Sequence, residues 1–395
     1  MSEWVKRKLG EIGDFVKGSG ISRAESNTGT LPAVRYGELY THHNDYVKKY
    51  VSYISEVVAR QSRITKRGDI LFTCSGETTE DIGKAVAVLD DGVYAGGDLL
   101  VYTLHEKGDP IFWGSLMNAP YVQSQKSNAG HGATVIHINE SALRDVEVSY
   151  PKDIHEQRRI AEVLADADAL IANTEKRIAK RKLIKQGMMQ QLLTGAVRLP
   201  SFTGEWEAHR LADVADFVTG TVSTDAIRKD EYVGTENMKP NCMGVDKNLA
   251  DVPYTSVREY RIGDVLLSNI RPYLKKCWLS TRNGGCSNDV IVVRGHSDMV
   301  MPEFLYGVLS QDAFFKYVME AVVGTKMPRG DKKVIAQYGL RLPPALAEQR
   351  AIAAVLTDMD SEIAVLEKKV EKYRRLKSGM MSELLTGKVR LSEGK

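Results

Sequence analysis

Between Ile352 and Leu384, apolar side chains return at alternating steps of four and three residues. They are Ile352, Leu356, Met359, Ile363, Leu366, Val370, Tyr373, Met380 and Leu384, with Lys377 in the one polar slot. This is a heptad seam of about 3.5 residues per repeat, the mark of a long helix that packs along one face. An earlier stretch uses the same slots: Ile160, Leu164, Ala167, Ile171, Thr174, Ile178, Arg181, Lys185, Met188 and Leu192. Residues 156–199 and 348–391 align without a gap at an offset of 192, with 25 of 44 positions identical, so the segment is duplicated. Pro151 and Pro343-Pro344 stand where a helix can begin, and Gly195 and Gly387 stand where one can stop. Ala167, Thr174 and Arg181 are smaller or more polar than their counterparts Met359, Leu366 and Tyr373. Small positions set opposite large ones would let the two copies pack on each other. Lys185 and Lys377, near Gly187 and Gly379, are expected to mark where the pairing frays or meets another subunit. A heptad by itself fits plain oligomerisation equally well; duplication within one chain favours an intramolecular pair.

A weaker echo precedes each copy. Trp4, Leu9, Asp14-Phe15-Val16 and Gly18 match Trp206, Leu211, Asp216-Phe217-Val218 and Gly220, and Gly68-Asp69-Ile70-Leu71 matches Gly263-Asp264-Val265-Leu266. Between these anchors the halves differ. The expected organisation is residues 1–152 as a first globular domain, 153–199 as a first helical spacer, 200–344 as a second domain and 345–395 as a second spacer. Both domains mix period-two runs with short helices. Lys84–Leu89, Asp98–Leu104, Asp264–Ser268 and Asp289–Arg294 read as strands. Ile111–Met117, Phe304–Leu309 and Phe314–Val318 read as helix. The fold class is therefore α+β: two similar domains and two long helices that form a coiled coil.

Composition changes this picture little. Of 395 residues, 43% are hydrophobic and 27% charged, with a net charge of +3, so a basic surface has to be sought locally. Each helical copy carries a basic run (Lys176, Arg177, Lys180, Arg181, Lys182, Lys185; then Lys368, Lys369, Lys372, Arg374, Arg375, Lys377). Such a run suits phosphate, an acidic partner or simply a solvated face. No stretch of 18 apolar residues occurs, and Met1–Lys8 leads into no apolar segment, so neither a membrane span nor a secretory signal is expected. Cys74, Cys242, Cys277 and Cys286 form no C-x-x-C pair and suit reduced thiols in a cytoplasmic protein.

Catalytic patterns are missing. Gly76–Lys84 has six residues between its glycines and Ala85 where a phosphate loop needs Ser or Thr, and Gly18-Ser19-Gly20 lacks the third glycine of a dinucleotide loop. There is no G-x-S-x-G or H-E-x-x-H, and the eight histidines show no ligand spacing. What remains are loops able to meet bases and phosphates. In the second half, Ser268–Lys276 holds Asn269, Arg271, Tyr273, Lys275 and Lys276. Gly324–Lys333 holds Lys326, Arg329, Lys332 and Lys333. Arg pairs with guanine, Asn with adenine, and Lys grips phosphate. The matching places in the first half are Thr73–Thr79, with Ser75, Thr78 and Thr79 and Lys84 close behind, and Asn128–Thr134, with His131 and Thr134. These are less basic and would work through hydroxyl, amide and backbone donors. Ordinary surface loops are the alternative for each of them.

The paired segments Glu-Gln-Arg-x-Ile-Ala-x-Val-Leu and Gly-Met-Met-x-x-Leu-Leu-Thr-Gly-x-Val-Arg-Leu, each behind a variable half, resemble the specificity subunit of type I restriction-modification enzymes. Ile262–Tyr273 also resembles a target-recognition segment of that family. The resemblance implies that each variable domain reads one half of a split, asymmetric duplex DNA sequence. It implies that the two helices pair antiparallel as a ruler. A helix from Asp153 to Thr194 is about 60 Å long, against about 34–36 Å for one turn of duplex. It further implies two modification subunits that carry S-adenosylmethionine and methylate adenine. Restriction subunits driven by ATP and magnesium join them, so that no cofactor, metal or catalytic residue lies on this chain. An enzyme with an unrecognised site, or a coiled-coil assembly protein without nucleic acid, are the competing readings. The first lacks clustered carboxylates and a glycine-rich cofactor loop. The second leaves two diverged domains on one repeated scaffold unexplained.

Overall fold

The structure, a computed structural model, describes residues 3–252, 254–320 and 329–391. It divides into two compact units, residues 1–176 with 367–395, and residues 177–366. Each unit contains one globular part and a stretch of both long helices, which run over Ile154–Leu192 and Leu346–Leu384.

Alternation along the strands explains the layering. In the first unit Leu100 and Tyr102 join one apolar cluster while Leu99 and Val101 join another, as strand side chains pointing to opposite faces must. Ile70 and Phe72 part from Leu71 in the same way. The second unit repeats this: Val265, Leu267, Ile291 and Val293 face one core, and Leu266, Val290 and Val292 the other. A central antiparallel sheet is therefore buried on both faces. Its order is Gly13–Lys17, Leu99–Leu104, Ile70–Thr73, Ala85–Ala87 in the first unit. In the second it is Ala215–Phe217, Val290–Gly295, Val265–Ser268, Cys277–Leu279. Helices cover one face. The other is covered by a second four-stranded sheet with one parallel pair, Leu31–Val34 with Val93–Ala95 in one unit and Tyr232–Val233 with Gly284–Cys286 in the other. The edge strand differs: Ser52–Ile54 lies beside Leu31–Val34, whereas Thr221–Ser223 lies beside Ser256–Tyr260. The mixed α+β reading and the expected strands and short helices match these elements.

The duplicated segments are held together by their own signature residues. In the first unit the Arg390 guanidinium grips Glu156 with two bonds, Nη2 donating to Oε2 at 2.7 Å, and lies 5.6 Å from the Trp4 ring centroid. In the second unit Arg198 grips Glu348 likewise, Nη2 to Oε2 at 2.7 Å, 5.8 Å from the Trp206 ring. Each arginine thus reaches the glutamate of the other copy. The helix-stop glycines are left-handed, Gly195 at φ 73° and Gly387 at φ 72°, and a Cβ on either would press to 3.0 Å from Trp206 or Trp4. Gln157 donates to the Pro151 carbonyl and accepts from the Asp109 amide; Gln349 does the same with Met299 and Met301.

Within each unit the two helices run antiparallel. Asp168 faces Lys377 and Glu175 faces Arg374 in the first; Arg181 faces Glu362 and Lys185 faces Asp360 in the second. One expectation needs correction here. Lys185 and Lys377 do not mark fraying. Each closes an ion pair with the duplicated aspartate of the opposite helix, since a lysine on a seam is tolerated where a carboxylate from the other strand meets it. Arg181, one of the more polar positions of the first copy, meets Glu362 of the opposite helix.

Candidate nucleic-acid interface

The loop between Thr73 and Lys84 leaves the central sheet and carries Ser75, Thr78 and Thr79. A two-residue ladder joins it to the other candidate loop: Gly76 pairs with Ile136 and Ser75 with His137. The chain closes on itself there through His131, whose amide and carbonyl bond His137. His131 and Thr134 are exposed beside this ladder, as are Thr78 and Thr79, while Ser75 and Lys84 are half-buried. Side chains from two helices hold the backbone in place. Tyr36 and Tyr40, on Tyr36–Thr41, both donate to the Ser75 carbonyl, at 2.7 and 2.8 Å. From Pro120–Ala129, Gln123, Lys126 and Ser127 donate to the carbonyls of Ile82, Gly83 and Thr79. Burial pushes the Tyr40 hydroxyl well above its ordinary range, and pushes the Lys126 amine down to about 7. Three exposed carboxylates, Glu77, Glu80 and Asp81, make the loop acidic, so its outward chemistry rests on hydroxyl and amide groups.

The second unit brings its two loops together at the corresponding place. Ile270 bridges Arg329, and the Gly330 amide donates to the Asn269 carbonyl at 3.0 Å. The tip Arg271–Lys275 is bracketed by two left-handed residues, Arg271 at φ 51° and Lys275 at φ 50°. Non-glycine residues adopt that conformation at a cost, and it is found where a loop is shaped for a task. Arg271 and Tyr273 point outward, Tyr273 with half its surface exposed. Lys275 and Lys276 are both engaged, Lys275 in a surface ion pair with Asp312 at 2.7 Å and Lys276 with the Thr235 carbonyl at 2.7 Å. Asn269 is half-buried, its Oδ1 beside Gly330 and without a hydrogen-bond partner. Arg329 pairs with Asp289, and Lys332 and Lys333 are exposed at the start of Lys332–Ala336. Lys326 lies outside the described residues.

Sequence reasoning missed Arg258. It sits on Ser256–Tyr260, donates to the Val290 carbonyl at 2.7 Å, and joins burial in pushing the Lys332 amine below its usual range. A lone arginine in a strand gives no local signal of this kind. Cys74, Cys242, Cys277 and Cys286 are free thiols. Among the described residues no group of three or more His, Cys, Asp or Glu side chains is placed to hold a metal ion, and no helix is long and apolar enough to cross a membrane.

One domain description fits both halves: the type I restriction modification DNA specificity domain matches residues 1–181 and again residues 203–372. The chain belongs to that family. The specificity domains thus occur twice, as the duplicated layering requires. The putative type I restriction enzyme MjaX specificity subunit of Methanocaldococcus jannaschii is 25% identical over 424 residues, covering 98% of this chain and 94% of that one. The MjaVIII specificity subunit of the same organism is 24% identical over 307 residues, covering 71% of this chain and 70% of the relative. The fold is that of the type I restriction-modification S subunit from M. genitalium, with a TM-score of 0.59 at 13% identity, covering 97% and 96% of the two chains. The two specificity domains and the antiparallel long helices together make the fold expected from the sequence.

Proposed function

We propose that this chain is the non-catalytic, sequence-reading subunit of a type I restriction-modification enzyme in the cytoplasm. Each domain reads one half of a split, asymmetric duplex site, and the paired helices fix the gap between the halves. Two modification subunits supply S-adenosylmethionine and methylate adenine. Restriction subunits supply the ATP- and magnesium-dependent cleavage. The observation that carries this reading is the recurrence of one arrangement with different residues: a strand-end loop bridged to a second loop, Ser75 with His137 in one unit and Ile270 with Arg329 in the other. A shared frame with unlike tips suits two related targets. In the first half Ser75, Thr78, Thr79, Lys84, His131 and Thr134 face the bases or hold the loop that does. In the second Arg271 and Tyr273 lead, with Arg329, Lys332 and Lys333 for phosphate and Asn269, Lys275 and Lys276 shaping the tip.

The test is duplex binding by the chain with its modification subunits. The logarithm of affinity is expected to fall steeply and linearly with the logarithm of salt, and chemical protection to appear as two separated patches. One continuous patch, or no protection, contradicts the reading.

A further inference from the structure

We propose that Lys126 is the positioning residue for the first domain's reading loop, a buried amine that sets the path of residues 78–84. The inference rests on the reading above, in which that loop meets DNA. Lys126 has no exposed surface, and its Nζ donates to the carbonyls of Gly83 at 2.7 Å and Met117 at 2.8 Å. Gln123 and Ser127 lie on the same helical face, three residues before it and one after, and donate to Ile82 at 2.8 Å and Thr79 at 2.7 Å. Three donors from one helix therefore fix three carbonyls of a segment that has no regular structure of its own. A buried carbonyl without a donor is rare in folded proteins, so the lysine and the loop path depend on each other. Gly83 is part of the same fit: it is left-handed at φ 67°, and a Cβ there would approach the Lys126 Cδ to 3.0 Å.

Comparison of the halves separates this role from support of the core. The helix Asp312–Glu320 repeats Pro120–Ala129 at the offset of 192, which sets Val318 in the place of Lys126. Val318 is buried among apolar neighbours, and that helix holds its own reading loop from its other end, through Asp312 and Lys275. The fold therefore accepts an apolar side chain at this site. The amine is specific to the half whose loop it grips.

The experiment uses the full chain with its modification subunits and a duplex library randomised through both half-sites. Lys126→Met is expected to remove base preference in the half-site read by the first domain, leaving the other half-site and the gap as in wild type. Gln123→Leu with Ser127→Ala keeps the amine, frees two of the carbonyls, and is expected to weaken the same half-site partially. Should Lys126→Met fail to fold, Lys126→Gln, which keeps a polar donor without the amine, is read in its place and is expected to weaken the first half-site alone. An unchanged profile in the folded variants, or equal loss in both half-sites, overturns the proposal. Thr79→Ala with Thr78→Ala tests the parent reading separately. If these loop changes blur the first half-site while the helix variants do not, only the role of Lys126 fails. If they leave it sharp, the loop is not the reader.

Discussion

Replacing Lys377 by Met is expected to cost about 3–5 kcal/mol of folding stability, whereas the same change at its duplicate, Lys185, costs at most about 1 kcal/mol. The two lysines occupy one position of the repeat and each meets an aspartate of the opposite helix, yet their surroundings differ. Lys377 Nζ lies 2.8 Å from Asp168 and 2.6 Å from Asp45, with side chains only 12%, 5% and 6% exposed. Burial alone would lower its pKa, but the two carboxylates outweigh that and raise it. Removing the amine leaves two buried carboxylates without their shared cation, Asp45 keeping the Asn118 amide at 3.0 Å and Asp168 the more distant Lys48 at 3.7 Å. Lys185 faces Asp360, whose side chain is 56% exposed and is hydrated when its partner goes. Urea unfolding of the two variants measures the difference. Equal midpoints would show that the Asp45–Lys377–Asp168 triad carries no special weight.

Arg271→Ala is expected to relax base preference in one half-site alone, by about 1–3 kcal/mol, or roughly fivefold to 150-fold in discrimination. Arg271 is exposed at a left-handed position just before Pro272, on a tip bracketed by a second left-handed residue. Alanine pays the same backbone cost there, so the substitution removes the guanidinium without changing what the backbone prefers. The neighbouring lysines do not substitute for it, because Asp312 and the Thr235 carbonyl already hold them. Binding to duplexes changed one base at a time reads the effect. Weakening that is equal on all sequences would mark Arg271 as a phosphate contact instead.

Much of this architecture was legible in the sequence, for reasons that show where such reading stops. The duplication and the heptad announce two long helices, since both are patterns of period. The apolar runs at Leu99–Leu104 and Val290–Gly295 announce buried strands. Periodicity says which side chains face a partner, not which partner they meet. For that reason the seam lysines read as places where the pairing frays, although each meets an aspartate of the opposite helix. The candidate loops stood out by composition, but their union through Gly76 and Ile136, or Ile270 and Arg329, joins residues about sixty apart and has no local signature. Lys126 and Arg258 escaped for the same reason. A lysine in the polar stretch Gln123–Asn128 looks solvated until the loop packed over it is known.

On the proposed reading, two unlike domains on one duplicated frame read separate stretches of one duplex. Base-resolution methylation profiling of a genome in cells that express this chain with its modification subunits tests it most directly. Modified adenines are expected within a two-part motif, specified at both ends and unspecified across a gap of constant length. A single uninterrupted motif, or a pattern unaltered when the chain is deleted, would contradict it.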